Sequence, residues 1–369
     1  MSASAQRNHG GSGQARSADD PVLLEAAELS VPAMFLGSGA PGMIVALVRG
    51  ESSFVGGIGE TTKGNGQEPD GRSLFRIGSI SKAMAGELLT DLVVEGKVRL
   101  SDPLQRFAPA GRTVPSADDR AITLLDLATH SAGLPREIGP APEGRGLTFP
   151  SREELWDYVC STPLLWPPAT IAAYSNVGFQ LLGEALAAAT GEDYAALLRS
   201  HLAEPLGLSD TTLRPTPDQC ARLMTGSGLS GPAPCIDTGL VGANAGVYST
   251  GNDMAKWLRY LVNRPTADAP ARQMARAAYR QRAEMPAAIA FDEAGPMSGL
   301  GLGWVIEAPR DTMPLLVQKS GSLEGFMSYV AFVPGKGVGV FFAMNRADLV
   351  TFSTTITVAN GILAALVAR

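Results

Sequence analysis

The chain has 369 residues, of which 45% are hydrophobic and 18% are charged, a composition typical of a compact globular protein with a sizeable core. Its formal net charge of −6 and the lack of a basic stripe argue against nucleic acid as a partner. No uninterrupted apolar run reaches the ~20 residues needed to cross a bilayer, so we expect no transmembrane segment.

The N-terminal part of the chain, up to residue 97, predicts an unstructured segment followed by a helix, a hairpin, a short strand and a second helix. Residues 1–20 are small, polar and rich in Gly and Ser, without the apolar core of a signal peptide, which predicts a disordered leader or tag. Apolar residues at helical spacing over 22–36 predict a helix. The runs 42–50 and 52–60 predict a β-hairpin. A short strand then leads into a helical pattern over 80–97, which ends at a Gly and a Pro.

The rest of the chain changes character twice. Residues 109–289 show helical patterns joined by Pro-rich loops, and beyond residue 299 four strand patterns with short turns predict an antiparallel meander. A last helix is expected over 351–368. We therefore predict a two-lobed α+β fold. An antiparallel sheet from both chain ends (21–108 and 290–369) is flanked by helices, and a mostly helical lobe is inserted, with a functional cleft between the lobes.

Three cysteines, Cys160, Cys220 and Cys235, bear on the compartment. Cys220 and Cys235 bracket a stretch rich in Gly, Ser and Pro, and no further metal ligands lie near them, so a disulfide is favoured over a zinc site. Closing a loop of about 15 residues would stabilise the fold by ~3 kcal/mol in the chain-entropy model. Such a bridge implies an oxidising compartment.

Ser79 and Lys82 are the first candidates for chemistry. They lie three residues apart in FRIGSISKAMAG, which places them on one face of a helix. The pair is short enough to occur by chance, but it stands at a strand-to-helix junction. There, the backbone N–H groups of a helix start favour developing negative charge.

Histidine is the usual base for a serine nucleophile, but the three histidines of this chain are poorly placed for that role. His9 lies in the leader, His201 lies in a helical pattern, and His130 precedes a turn among residues that look structural. A lysine can replace histidine if burial and a second cation lower its pKa.

Two further elements supply what a lysine base needs. Tyr174-Ser175-Asn176 precedes a predicted helix, and Lys319-Ser320-Gly321 stands at the end of a predicted strand. Taken alone, Tyr174 would be interpreted as a packing residue and Lys319-Ser320-Gly321 as the end of a strand. In penicillin-recognising enzymes, Ser-x-x-Lys is followed in this order by a polar element and by a strand with Lys-Thr-Gly.

With these motifs the chain resembles the serine β-lactamase/penicillin-binding protein superfamily, in its class C-like branch, where Tyr-x-Asn is the second element. The resemblance covers nearly everything from 41 to 345 and includes FRIGSISK, ITLLDLATHSAGLP, AAYSNVGFQLLGEAL, EPLGLSDTTL, GVYSTGNDMAKWL, GLGWV and KSGSLEGFMSYVAFVP. PREIG, TPDQCARLM with APC, and LGLGWV make it similar to the AmpH-type D-alanyl-D-alanine carboxypeptidase/endopeptidases.

The resemblance implies a β-lactamase/transpeptidase-like fold and a role for each motif residue, without a metal or another cofactor. Ser79 would form an acyl-enzyme, and Lys82 and Tyr174 would share its proton, with Tyr174 passing it to the leaving nitrogen. Lys319 would also attract the substrate carboxylate. Asn176 would hold Lys82 and the substrate amide.

The remaining substrate-binding residues implied by the resemblance lie on the strand of the third motif. Ser320 would assist Lys319, with Gly321 and Ser322 beside it, and the backbone N–H groups of Ser79 and Ser322 would form the oxyanion hole. Two positions depart from the family pattern. Ser320 stands where Thr is common, and Glu137 stands where class C enzymes often have a Gln that contacts the acylamide side chain.

The expected function is hydrolysis, through an acyl-enzyme, of D-Ala-D-Ala peptides of peptidoglycan, with binding and slow hydrolysis of penicillins. The alternatives are a class C-type β-lactamase, an esterase on the same scaffold, and a non-catalytic penicillin-binding protein. The carboxylate of Glu137 weakens the case for an efficient β-lactamase. Peptidoglycan peptides and β-lactams are the expected partners, and the periplasm is the expected compartment.

Overall fold

The computed structural model describes residues 16–17, 20–139, 149–229, 231–263, 269–291 and 297–369. The helices are α1 (Pro21–Ser38), α2 (Ser81–Val94), α3 (Leu124–Ala128), α4 (Arg152–Ser161), α5 (Asn176–Thr190), α6 (Tyr194–Leu198), α7 (Glu204–Leu206), α8 (Pro217–Ala221), α9 (Gly251–Val262), α10 (Ala269–Ala275) and α11 (Leu349–Ala368). Short 3-10 helices cover Gly78–Ile80, Leu104–Phe107, Gly239–Val241 and Arg282–Glu284, and a π-helix covers Arg199–Ala203.

The strands are β1 (Arg16–Ser17), β2 (Gly42–Arg49), β3 (Ser52–Gly59), β4 (Leu74–Arg76), β5 (Ser116–Ala117), β6 (Arg120–Ala121), β7 (Ala172–Ala173), β8 (Tyr248–Thr250), β9 (Arg280–Gln281), β10 (Ala288–Ile289), β11 (Gly299–Leu300), β12 (Val305–Glu307), β13 (Leu316–Leu323), β14 (Phe326–Val333) and β15 (Val338–Met344). Nine of them form one antiparallel sheet in the order β1-β3-β2-β15-β14-β13-β12-β11-β9. The predicted sheet from both chain ends is confirmed, because β2 pairs with β15 along its length.

Helices cover both faces of this sheet, which explains why β14 and β15 are buried at every position. One face packs against α1 and α11, in a core that includes Met34, Tyr329 and Leu363. The other face packs against α2 and α9, in a larger core that continues into the helical region. The division into lobes at residues 108 and 289 stays a prediction.

Helix α11 was not anticipated as a membrane candidate. Among the described residues it is the one helix that is long and apolar enough to cross a bilayer, by length and composition alone. In the structure its Phe352, Ala359 and Leu363 face is buried against the sheet and α1. That packing is what a core helix of the domain shows.

The structure changes three local expectations. Arg16–Ser17, assigned to the leader by composition, pair with β3, and the Asp20 side chain caps the start of α1. Strand β4, which leads to Ser79, pairs with β8 in a separate two-stranded sheet. Lys319 lies in the interior of β13, whereas its sequence context placed it at a strand end.

Cys220 and Cys235 are joined by a disulfide with a Cα–Cα distance of 5.7 Å. The loop that it closes carries the carbonyl groups of Ala233 and Pro234, which accept hydrogen bonds from the buried Arg76 at 3.3 and 2.6 Å. Arg76 is the last residue of β4, so the disulfide loop is attached to the strand that leads into the Ser79 turn.

Candidate active site

Ser79 lies in the middle of a 3-10 turn, Gly78–Ile80, that runs directly into α2. Gly78 has a φ of +51°, and a Cβ there would lie 2.5 Å from the Ser322 nitrogen, so the turn requires glycine. Ser81 is not a second nucleophile, because its hydroxyl donates to the Gly78 carbonyl at 2.7 Å. The turn presents the Ser79 hydroxyl to solvent while its neighbours are buried.

Lys82 lies one helical turn beyond Ser79 and is fully buried beneath it. Its Nζ lies 3.0 Å from Ser79 Oγ, 2.7 Å from Asn176 Oδ1 and 2.8 Å from the Asn244 carbonyl oxygen. Asn244 Oδ1 is a further acceptor at 3.3 Å. Because the Asn176 and Asn244 oxygens can occupy two N–H groups, the remaining position of the amine faces the Ser79 hydroxyl.

Tyr174 lies against both lysines. Its hydroxyl is 3.4 Å from the Nζ of Lys319, which is buried within β13. The Nζ atoms of Lys82 and Lys319 lie 4.9 and 4.8 Å from the centre of its ring, and the Arg136 guanidinium lies at 4.8 Å. Three basic side chains therefore surround this phenol, and the positive charge that they carry stabilises negative charge on its oxygen.

The loop before α5 fixes Tyr174 and Asn176 by local hydrogen bonds. The backbone N–H of Tyr174 donates to the Ile289 carbonyl at 3.0 Å, and the N–H of Asn176 donates to the Arg136 carbonyl at 2.9 Å. Between them, Ser175 caps α5 by accepting from the Gly178 N–H at 2.9 Å.

Strand β13 approaches the Ser79 turn at backbone contact. A Cβ added at Gly321 would lie 2.0 Å from the Ile77 carbonyl oxygen and 2.9 Å from the Ser79 nitrogen. The Ser328 hydroxyl of β14 also donates to the Ile77 carbonyl at 2.8 Å. This approach brings the backbone of Ser322 next to the Ser79 turn, which is the arrangement that the proposed oxyanion hole needs.

Asn176 connects Lys82 to Glu137. Its Oδ1 accepts from Lys82, and its Nδ2 donates to Glu137 Oε1. Both ends of the amide are thus occupied in this structure, and a substrate amide has to share the Asn176 N–H groups with the Glu137 carboxylate.

His130 is buried behind Tyr174 rather than beside Ser79. Its Nδ1 accepts from the Ser175 backbone N–H at 3.0 Å, so this nitrogen is not available to take a proton from the nucleophile. Burial, and then the positive charges of the three neighbouring cations, hold the pKa of His130 well below its usual range. The ring is therefore a neutral imidazole at physiological pH.

A cleft of about 910 Å³ opens over these groups. The predicted site residues that line it are Ser79, Glu137, Asn176, Ser320, Gly321 and Ser322. Lys82, Tyr174 and Lys319 form the buried layer underneath. The structure therefore brings all the predicted site residues to one place, with Ser79 between the cleft and the buried Lys82, Tyr174 and Lys319.

Sequence reasoning missed Asn244 and assigned His130 a structural role only. Asn244 contributes two acceptors to Lys82, yet it lies 162 residues away in a stretch, GANAG, without a motif. A polar residue just before the strand of GVYST was the only available signal.

The chain is similar to known proteins over most of its length. A family model described as Beta-lactamase matches residues 31–360. The chain is 39% identical over 322 residues to the D-alanyl-D-alanine-carboxypeptidase/endopeptidase AmpH of Escherichia coli K12, covering 86% of this chain and 83% of that protein. It is 26% identical to a beta-lactamase of the same organism, covering 83% and 84% of the two chains.

A solved structure is also similar over nearly the whole chain. It is a beta-lactamase/D-alanine carboxypeptidase from Yersinia pestis complexed with citrate, 37% identical, with a TM-score of 0.89. The match covers 95% of this chain and 100% of that chain.

Proposed function

The chain belongs to the Beta-lactamase family and is a serine hydrolase of the D-alanine carboxypeptidase/β-lactamase type, and we propose that it cleaves D-Ala-D-Ala peptides of peptidoglycan through an acyl-enzyme on Ser79. The observation that carries the proposal is the contact of the buried Lys82 with the Ser79 hydroxyl at 3.0 Å. The match to the Beta-lactamase family model confirms the family resemblance that the motifs predicted.

Acylation begins with proton removal from Ser79. The uncharged amine of Lys82 takes this proton, since its Nζ lies 3.0 Å from the Ser79 oxygen while Asn176 and Asn244 accept from the same nitrogen and hold it in place. Lys82 is fully buried, and it shares the ring of Tyr174 with Lys319. The Ser79 oxygen then attacks the substrate carbonyl, and a tetrahedral intermediate forms.

Tyr174 completes the proton transfer. Its phenol oxygen lies next to Lys319 and its ring lies against Lys82, so it can receive the proton and deliver it to the leaving nitrogen of the terminal D-alanine. In the second half of the reaction the same oxygen takes a proton from water as that water attacks the acyl carbonyl. The bond between the acyl carbon and the Ser79 oxygen then breaks, and the proton passes to the Ser79 oxygen, which restores the serine.

Charge complementarity orients the substrate. The terminal carboxylate of a D-Ala-D-Ala peptide, or the carboxylate of a β-lactam, binds near Lys319 and the Ser320 hydroxyl. The backbone N–H groups of Ser79 and Ser322 stabilise the developing oxyanion, in a position enforced by the close approach of β13.

Two observations support a peptidase over an efficient β-lactamase. Glu137 places a carboxylate at the amide of Asn176, where the acyl side chain of the substrate binds. The relative with 39% identity over most of both chains carries the name of a carboxypeptidase/endopeptidase, whereas the beta-lactamase relative is 26% identical.

The test is a side-by-side assay of two reactions with the purified protein. We expect D-alanine release from a pentapeptide ending in D-Ala-D-Ala, together with slow turnover of nitrocefin. Rapid nitrocefin turnover without D-alanine release would establish the β-lactamase alternative. Cleavage of p-nitrophenyl esters alone would establish the esterase, and Ser79→Ala is the control that removes every one of these activities.

We also propose that the protein works in the periplasm, where peptidoglycan and an oxidising environment meet. The Cys220–Cys235 disulfide supports this location. A thiol count on protein taken directly from the native compartment tests it, because one free thiol, that of Cys160, is expected.

A further inference from the structure

His130 is a buried histidine with an unusual backbone conformation that the proposed chemistry does not use. Its φ is +54°, in the left-handed region that few non-glycine residues adopt. Backbone strain of this kind persists where the surrounding contacts require it. Three groups of His130, its carbonyl oxygen, its Nδ1 and its ring face, contact the segment around Tyr174.

The residues on either side of Tyr174 both donate a backbone N–H to His130. The Ala173 N–H donates to the His130 carbonyl oxygen at 2.8 Å. The Ser175 N–H donates to the imidazole Nδ1 at 3.0 Å. A single residue thus holds the backbone before and after the tyrosine, and the positive φ lets its carbonyl and its ring reach the same segment.

The imidazole also fixes the plane of the phenol ring. The two rings are stacked with centroids 4.4 Å apart and an angle of 22° between their planes. Phe291 closes the stack from the edge, at 5.3 Å from His130 and 5.6 Å from Tyr174. Phe179 contacts the imidazole from α5 at 4.8 Å.

The chemistry of imidazole suits this position better than that of other rings. Neutral imidazole supplies both an aromatic face and an acceptor at Nδ1. It adds no positive charge of its own to a phenol already surrounded by the basic side chains of Lys82, Lys319 and Arg136. Phenylalanine offers the face without the acceptor, and asparagine offers an acceptor without the face.

We propose that His130 is the positioning residue of Tyr174: its carbonyl oxygen and Nδ1 accept from the backbone N–H groups of Ala173 and Ser175, and its ring fixes the plane of the phenol. This inference rests on the proposed role of Tyr174 as the proton carrier. His130 itself touches neither the substrate nor the Ser79 hydroxyl, and it acts on the rate of acylation through Tyr174.

The experiment separates acylation from binding in two variants. His130→Phe keeps the stacking face, and His130→Asn keeps an acceptor close to the position of Nδ1 and tolerates the positive φ. Single-turnover acylation by a fluorescent penicillin gives the rate constant for each. Non-covalent Kd values for the same penicillin come from the same substitutions in a Ser79→Ala background. Circular dichroism and thermal melting establish that each variant folds.

We expect each variant to acylate about 10- to 100-fold more slowly than the unsubstituted protein, with Kd changed less than about twofold, because misplacement of a catalytic group by a fraction of an ångström costs rate without loss of binding. His201→Asn is the matched control. That histidine lies outside the cleft, contacts Ser200 and Glu95, and should leave both constants unchanged.

Three results would overturn the inference. Acylation of both variants at the original rate would show that Tyr174 needs no such support. A rise in Kd that parallels the fall in rate would show collapse of the whole cleft, and loss of folding in both variants would make His130 a stability residue. Absence of acylation in the unsubstituted protein would instead contradict the proposed function, so the two failures are distinguishable.

Discussion

The two walls of the cleft position their reactive groups by different physical means. On the wall formed by the Ser79 turn and β13, backbone meets backbone, with Gly78 and Gly321 at distances that admit no Cβ. On the wall formed by the segment around Tyr174, side chains hold the site, through His130, Asn176 and Glu137. The first wall is therefore rigid and intolerant of added atoms, and the second can be adjusted by substitution.

The largest effect is expected from Gly321→Ala. The added Cβ would overlap the Ile77 carbonyl at 2.0 Å, so β13 must move away from the Ser79 turn and the oxyanion hole opens. Loss of one oxyanion donor typically costs about 100- to 1000-fold in rate, and we expect acylation to fall by that amount. Stopped-flow acylation by a fluorescent penicillin measures it.

Gly361→Ala is the control for this substitution, because a Cβ at that exposed position in α11 meets no atom within 4 Å. It should acylate at the unsubstituted rate. If Gly321→Ala also acylated at the unsubstituted rate, the close packing of β13 against the Ser79 turn would not be needed for acylation. The two walls would then not differ in their tolerance of added atoms.

The disulfide loop is attached to β4, the strand that leads into the Ser79 turn. Removal of the disulfide therefore tests what supports the rigid wall from outside the cleft. Replacement of both Cys220 and Cys235 by Ser should lower the free energy of unfolding by ~3 kcal/mol, because the unfolded chain is no longer constrained. Urea unfolding measures this, and Cys160→Ser is the control for the loss of a thiol. An unchanged unfolding free energy for the double variant would show that the disulfide loop contributes nothing to stability.

Glu87, on α2 behind the rigid wall, makes stability depend on pH. Burial, opposed by the hydrogen bond from Trp257, raises the pKa of Glu87 to about 8 from 4.5. Between these values the native state holds a proton that the unfolded chain has lost, so the free energy of unfolding falls as pH rises through this window. The total fall is on the order of a few kcal/mol.

Glu87→Gln removes this titration while it keeps an acceptor for Trp257. We expect the difference in unfolding free energy between pH 5 and pH 8.5 to shrink in the variant, relative to the unsubstituted protein. Urea unfolding at the two pH values is the measurement. An equal pH dependence in both proteins would assign the effect to other groups.

The smallest effect is expected at the adjustable wall, from Glu137→Gln. Glu137 is exposed, and glutamine still offers an oxygen to Asn176 Nδ2, so the positioning of Lys82 should survive. An exposed charge contributes up to about 1 kcal/mol, which corresponds to roughly fivefold in rate. The ratio of D-alanine release to nitrocefin turnover should shift towards nitrocefin, and a 100-fold loss of acylation would place Glu137 in the chemistry instead.

The sheet and the residues that cluster at the candidate site could be predicted from the sequence because both have local signatures. Apolar runs with short turns marked β13, β14 and β15, and three short motifs marked Ser79, Tyr174 and Lys319. The end of β13 was misplaced because its polar Lys-Ser-Gly-Ser segment resembles a strand terminus. In the structure that segment continues to pair with β14, and its polar groups face the cleft.

The missed residues depend on contacts between distant parts of the chain. Asn244 reaches Lys82 across 162 residues, and no local pattern records such a contact. His130 reaches the backbone on both sides of Tyr174 because its φ is positive. The residue types around it do not predict that backbone conformation. Both belong to the layer that supports the motif residues.

The proposed mechanism requires that Ser79 carries the acyl group. Intact-protein mass spectrometry during incubation with a penicillin, followed by peptide mapping, tests it directly. We expect one adduct with the mass of the penicillin, located on the peptide that contains Ser79, which clears slowly and is absent in Ser79→Ala. An adduct that persists in Ser79→Ala, or no adduct on the unsubstituted protein at any time, would contradict it.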